Sequence, residues 1–141
     1  MVNYTRWLSV LCLAVLVVAS PAALNAGQTS KSTTYLTFDA PVRLPGVGLG
    51  TGTYIFELAA PLSDLRLVRV SSRDRSRVYF TGFTQMIPRP AGVRADRPVS
   101  FGEARPGTPT PITAWYPPDR SWGYGFIYDK TERPVNERAS R

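Results

Sequence analysis

The amino-acid sequence predicts an all-β protein: a single antiparallel β-sandwich or barrel-like domain of about seven short strands. Three observations predict this fold class. Apolar and polar residues alternate over short runs, and no helical periodicity of useful length is present. Thirteen prolines and eleven glycines interrupt those runs. The single cysteine lies in the N-terminal apolar segment, so one apolar core, and no disulfide, must stabilise the domain.

Residues 1–26 have the layout of a secretory signal peptide. Arg6 supplies positive charge, residues 8–20 form an apolar segment, and small residues follow in PAALNAG. Cleavage is predicted after Ala22 or Ala26. The alternative is an uncleaved membrane anchor, but the apolar run is shorter than the ~20 residues that span a bilayer. We therefore expect an exported protein, in the periplasm, at the cell surface or outside the cell, with no transmembrane span in the mature chain.

The rest of the chain is predicted to form one β domain over residues 34–129. A polar linker, residues 27–33, precedes it, and a charged segment, residues 130–141, is predicted to be a disordered tail. The predicted strands cover residues 35–38, 53–58, 65–70, 77–87, 99–103, 112–116 and 122–128. Prolines separate the later strands because proline lacks the amide hydrogen that a central ladder needs.

Details of the second to fourth strands make this prediction specific. Alternation places Tyr54, Phe56 and Leu58 on one face of the second strand. The third strand changes phase near Val68, which indicates either a bulge or burial on both faces. The polar stretch SSRDRSR that follows predicts a hairpin turn, with Asp74 bonding to nearby backbone amides.

Four glycines in LPGVGLGTGTYIFEL, residues 44–58, raise the question of a nucleotide site. A dinucleotide-binding loop needs a third glycine where Thr51 or Thr53 stands, and a P-loop needs a lysine that this stretch lacks. Strand-forming residues follow, so no helix N-terminus is present to bind a phosphate. The glycines are instead predicted to take positive-φ positions in a tight connection between two strands.

The residue inventory argues against most catalytic chemistry. The chain contains no histidine, and Cys12 would leave with the signal peptide, so a histidine base and most zinc or copper sites are excluded. No cofactor and no metal site is predicted. A pair of strand glutamates, Glu57 and Glu103, remains formally compatible with glycan hydrolysis. The alternative for each glutamate is an outward-facing side chain that pairs with an arginine.

One group of aromatic residues could bind a ligand. Trp122, Tyr124, Phe126 and Tyr128 alternate and would share one face of a strand, and two glycines leave the opposite face bare. The candidate ligand-binding residues are Trp115, Tyr116, Trp122 and Tyr124. Such a face could stack on sugar rings. The favoured alternative is that the row packs into the core, which a domain without cysteine needs.

The formal net charge of +7 favours anionic partners such as lipids or acidic polysaccharide, although it is also compatible with simple solubility. The densest basic cluster is Arg66, Arg69, Arg73, Arg75 and Arg77. Nucleic acid is not expected as a partner because the protein is predicted to be exported. The expected partner is either an envelope glycan or another envelope protein.

Three segments resemble a group of short exported bacterial proteins without an established activity. They are FDAPVRLPGVGLGTGTYIFEL, VSFGEARPGTPTPITAWYPP and GYGFIYDK, and the likeness covers most of residues 36–130. The sequence departs from the group's pattern at Gly50-Thr51, where Pro-Ala is usual, and at Arg75, where a hairpin glycine is usual. The resemblance implies export and a shared fold, and it implies no catalytic residue.

Together these observations predict an exported, non-enzymatic envelope protein that acts as a small binding or structural module. Two alternatives stay open. One is a carbohydrate-binding module that uses the aromatic face, and the other is a glycan hydrolase that depends on the two carboxylates.

Overall fold

The computed structural model describes residues 33–61 and 63–134, and within them the chain is all-β, with nine strands and no helix. The strands are β1 (Thr34–Phe38), β2 (Val42–Leu44), β3 (Val47–Leu49), β4 (Gly52–Ala60), β5 (Asp64–Ser72), β6 (Val78–Pro88), β7 (Val99–Phe101), β8 (Thr110–Trp115) and β9 (Trp122–Phe126). The predicted signal peptide, most of the predicted linker and the last seven residues lie outside the described residues.

The strands form one open, mostly antiparallel sheet in the order β1-β4-β5-β6-β9-β8-β2-β3, and β7 pairs with β8. Only β2 and β8 pair in parallel among the described strands. The long strand β6 joins the two halves of the sheet. Its residues 78–83 pair with β5, and its residues 84–88 pair with β9.

The sheet folds over so that its two halves share one core. Three strands lie between β4, which carries Phe56, and β8, which carries Trp115, yet the two ring centroids are 6.1 Å apart. Phe126 on β9 also contacts Phe56, at 6.4 Å. The buried core side chains include Leu36, Phe38, Tyr54, Phe56, Val68, Val70, Ile112, Trp115, Tyr124 and Phe126. The predicted all-β, sandwich-like fold class is therefore confirmed.

The strand count exceeds the prediction because the glycine-rich stretch itself forms the short hairpin β2–β3. Gly46 lies in the turn of this hairpin with φ of 72°, and Gly52 begins β4 with φ of 146°. Both conformations are ones that glycine adopts readily. Gly48 and Gly50 do not have positive φ, so the prediction of positive φ is right at two of the four glycines and wrong at the other two.

The irregularity expected in the third predicted strand is a bulge in β5. Leu58 pairs with Val68, but Ala60 pairs with Asp64, so β5 contains two more residues than β4 between these pairs. Leu65 lies in this irregular part and is exposed, whereas Val68 is fully buried. Two extra residues preserve the alternation, so Leu65 and Val68 lie on opposite faces with or without the bulge. Ser71 pairs with Ile55, and both are buried on the face opposite Val70, so this end of β5 is also buried on both faces.

The β5–β6 hairpin is built as the turn chemistry predicts. The Asp74 carboxylate accepts hydrogen bonds from the Ser72 hydroxyl at 2.6 Å and from the Ser76 amide at 3.1 Å. The Ser72 and Ser76 bonds lower the pKa of Asp74 to about 2, which keeps the turn carboxylate ionised. Arg75, where the resembling proteins have glycine, has φ of 60°. Its Nη1 donates to both carboxylate oxygens of Glu57, at 2.8 and 2.7 Å.

Residues 130–134 belong to the segment predicted to be a disordered tail, and they are among the described residues; residues 135–141 lie outside them. Pro134 is fully buried and packs over Gly102, where an added Cβ would lie 2.6 Å from the proline Cβ. The Gly46 amide donates to Glu132 Oε2 at 3.2 Å, and Arg43 Nη2 donates to the Glu132 carbonyl at 2.8 Å. Residues 130–134 therefore pack onto the domain.

Candidate functional site

A cleft of about 840 Å³ lies between β1 and β7, two edge strands of the sheet. Its walls are residues 35–39, which include most of β1, and residues 98–101, which include all of β7. The connecting segment, residues 92–94 with 96 and 97, forms the third side. We call this feature the seam cleft.

Both strands beside the seam cleft have a free backbone edge within the described part of the chain. β1 pairs with β4, and β7 pairs with β8, and neither has a second partner strand there. The five residues of β1, TYLTF, contain no charge and no proline. Natural edge strands usually carry such residues because an unprotected edge pairs readily with another extended chain.

The seam cleft also reaches the edge of the apolar core. Phe101 on β7 pairs with Ile112 and so lies on the core-facing side of the sheet. Ile112 is fully buried, but Phe101 is 47% exposed. Its ring touches Phe38 of β1, with centroids 6.3 Å apart. The core is therefore incompletely covered where β1 and β7 face each other.

The charges around the seam cleft are mixed. Arg94 Nε lies 3.0 Å from Asp96 Oδ1 in an exposed ion pair. Arg97 and Asp39 also line the cleft. On the outer face of β1, a second hollow of about 540 Å³ is lined by Tyr35, Thr37, Thr53 and Arg73. The two hollows share Tyr35 and Thr37, so they are neighbours across β1.

Most of the aromatic residues proposed from the sequence as a ligand-binding face lie in the core. Trp115 and Tyr124 are fully buried and stack with ring centroids 5.3 Å apart. Tyr116 is buried as well, and only Trp122 is partly exposed. The indole nitrogen of Trp115 donates to Thr34 Oγ1 at 3.1 Å. These contacts agree with the alternative in which the aromatic row packs into the core, because buried rings present no face to a sugar.

The two glycines of β9 are not bare, although the sequence suggested a bare face. Tyr116 lies directly over Gly123, and the Trp115 carbonyl oxygen would lie 2.8 Å from a Cβ at that position. Gly125 has ordinary contact distances, with Ile87 Cγ2 nearest at 3.5 Å. Gly123 therefore serves close packing against Tyr116 rather than exposure of a binding face.

The two glutamates are not brought together as a catalytic pair by any hydrogen bond or ion pair among the described residues. Glu57 is engaged by Arg75, and this hydrogen bond raises the pKa of the Arg75 guanidinium. Glu103 is exposed and lies just after β7. The arrangement of Glu57 matches the ion-pair alternative.

Among the described residues, no group of three or more histidine, cysteine, aspartate or glutamate side chains is placed to hold a metal ion. The same residues include no helix with the length and apolar character needed to cross a bilayer.

Comparisons with protein-family models, with curated proteins and with solved structures found no match to this chain. The resemblance to short exported bacterial proteins therefore stays a prediction from the three motif segments.

Proposed function

We propose that the protein is an exported, non-enzymatic binding module of the cell envelope, and that it binds an extended segment of another polypeptide in the seam cleft. The N-terminal sequence supports export. The test of export is the mass of the chain recovered from periplasm or medium, because cleavage makes Ala23 or Gly27 the N-terminal residue of the mature protein. The lack of histidine supports a role without catalysis.

One observation carries the binding part of the proposal: the same cleft is lined by two strand edges that have no further partner strand among the described residues. An extended peptide that enters a sheet edge gains main-chain hydrogen bonds, and pockets for alternate side chains give it specificity. β1 is free of the charges and prolines that normally prevent such pairing. The half-exposed ring of Phe101 adds apolar surface that a bound segment would cover.

The test is selection of peptides from a displayed random library on the full chain, followed by affinity measurement on two variants. Gly92 lines the seam cleft, and Gly48 lies in β3 away from it; neither has positive φ or an atom within 4 Å of an added Cβ. Gly92→Trp should fill the cleft and weaken selected peptides at least about tenfold, or 1.4 kcal/mol. Gly48→Trp should leave affinity unchanged.

Two outcomes would contradict the proposal. One is a selection that enriches no peptide over the display scaffold. The other is a set of enriched peptides that bind Gly92→Trp and the wild-type chain equally well, because their site would then lie elsewhere.

A further inference from the structure

We propose that the bound segment is a strand of about five residues that runs antiparallel to both β1 and β7, with apolar side chains at alternate positions and acidic ones between them. This inference rests on the proposed function and names the chemistry of the partner. It follows from strand direction, from the faces of the two edges and from the charges around the seam cleft.

Strand direction is fixed by the pairing. Six antiparallel steps lead from β1 through β4, β5, β6, β9 and β8 to β7. An even number of reversals means that β1 and β7 run in the same direction. These two edges could pair directly only as parallel strands. One inserted strand, by contrast, can be antiparallel to both of its neighbours, which gives the more stable ladder on each side.

The added strand would also complete the sheet. The path from β1 to β7 contains seven strands, and an eighth between its ends would give a closed, wholly antiparallel arrangement. Barrels of about eight strands have an interior that side chains just fill. Because β1 has five residues and β7 has three, a segment the length of β1 is sufficient.

The faces of the two edges determine the apolar pattern of the partner. Leu36 and Phe38 of β1 are buried on the core side, and Phe101 of β7 lies on that side half exposed. Side chains of an inserted strand alternate between the core side and the outer side. The core-side positions would cover Phe101 and must therefore be apolar.

Two arginines lie near the outer-side positions. Arg97 lines the seam cleft, and Arg73 lines the adjoining hollow across β1. Within the described residues, neither guanidinium has an ion pair with a carboxylate. Asp39 lines the end of the cleft near Phe38, and Asp96 is paired with Arg94. The chain as a whole carries a formal charge of +7, so acidic outer side chains are complementary.

The sequences that flank the described domain do not have this pattern. Residues 27–32, GQTSKS, carry no apolar side chain, and residues 135–141, VNERASR, contain two arginines and one glutamate. A second copy of the chain would itself be basic, because the mature form keeps 16 basic and 10 acidic residues after the loss of Arg6. Its β1 would also have to leave β4 to enter the cleft. A different polypeptide with an apolar–acidic alternation fits better.

Orientation is tested by cross-linking on the full chain with Cys12→Ser, which then contains no cysteine. The probes are two synthetic peptides of alternating valine and glutamate. One carries a single cysteine at its N-terminus, and the other carries a single cysteine at its C-terminus. Asp39→Cys lies directly after the last residue of β1, and Tyr35→Cys lies near the start of β1. Disulfide formation with Asp39→Cys should be at least about fivefold faster for the N-terminal cysteine, and Tyr35→Cys should show the opposite preference.

Two control peptides test the pattern. A peptide of the same composition with its valines grouped together should bind at least about tenfold more weakly, and so should an alternating valine–threonine peptide. The reverse cross-linking preference, or none, overturns the antiparallel orientation. Equal binding of the grouped peptide overturns the alternation, and equal binding of the threonine peptide overturns the acidic requirement.

The outcomes separate this inference from the proposed function. If library-selected peptides bind the seam cleft and the valine–glutamate peptide does not, the inference fails and the proposed function stands. If neither kind of peptide binds, both fail.

Discussion

Replacing Trp115 by alanine is expected to lower the free energy of unfolding by about 4 kcal/mol, near the middle of the range for large aromatic residues in cores. The side chain is fully buried at the centre of the folded sheet. It stacks on Tyr124 and contacts Phe56, so its removal leaves a large cavity between both halves of the sheet. A domain of this size has a total stability of roughly 5–15 kcal/mol, so this loss amounts to between about a quarter and four fifths of it.

Urea denaturation followed by far-ultraviolet circular dichroism measures this change. Trp115→Phe is the matched control, because it keeps a ring in place and removes only the hydrogen bond to Thr34 and part of the volume. We expect it to cost about 1–2 kcal/mol. A loss below about 1 kcal/mol for Trp115→Ala would mean that the ring is not a core element.

Gly123→Ala is expected to lower the free energy of unfolding by about 3 kcal/mol, at the upper end of the usual cost of overpacking. The added methyl group would overlap the Tyr116 ring and lie 2.8 Å from the Trp115 carbonyl oxygen. The carbonyl belongs to the ladder of β8 and cannot move aside without breaking its pairing. Tyr116 is buried and has little free space to turn into.

Gly125→Ala in the same strand is the control for this prediction. Its added methyl group would meet Ile87 Cγ2 at 3.5 Å, which is ordinary van der Waals contact. Since alanine loses less chain entropy than glycine on folding, we expect a change between zero and a gain of about 1 kcal/mol. Equal thermal midpoints for the two variants would show that Tyr116 does not cover Gly123.

The alternation of side chains predicted the strands well because it is a local property of the chain. Tyr54, Phe56 and Leu58 were expected on one face, and all three are buried. The aromatic row that ends in Tyr128 was expected on one face too, and the structure buries three of its four rings. Ile55 shows the limit of this rule, since it is fully buried on the opposite face from Phe56.

The seam cleft could not be predicted in the same way, because it depends on which strands are neighbours. Nothing in TYLTF or VSF indicates that β1 and β7 each keep one unpaired edge and face each other across a cleft. One sequence feature concerns this edge. A short alternating run without charge or proline, such as β1, is unusual at a sheet edge and is normally expected inside a sheet. No sequence feature indicated that the Phe101 ring would be exposed.

Amide hydrogen exchange on β1 and β7 is the most direct measurement of whether these edges accept a strand. In the free protein, the amides of Thr34–Phe38 and Val99–Phe101 that point into the cleft should exchange fast, while β5 is protected on both sides. Saturation with a selected peptide should slow exchange of those edge amides and leave the rest of the sheet unchanged. A peptide that binds without protecting either edge would contradict the account.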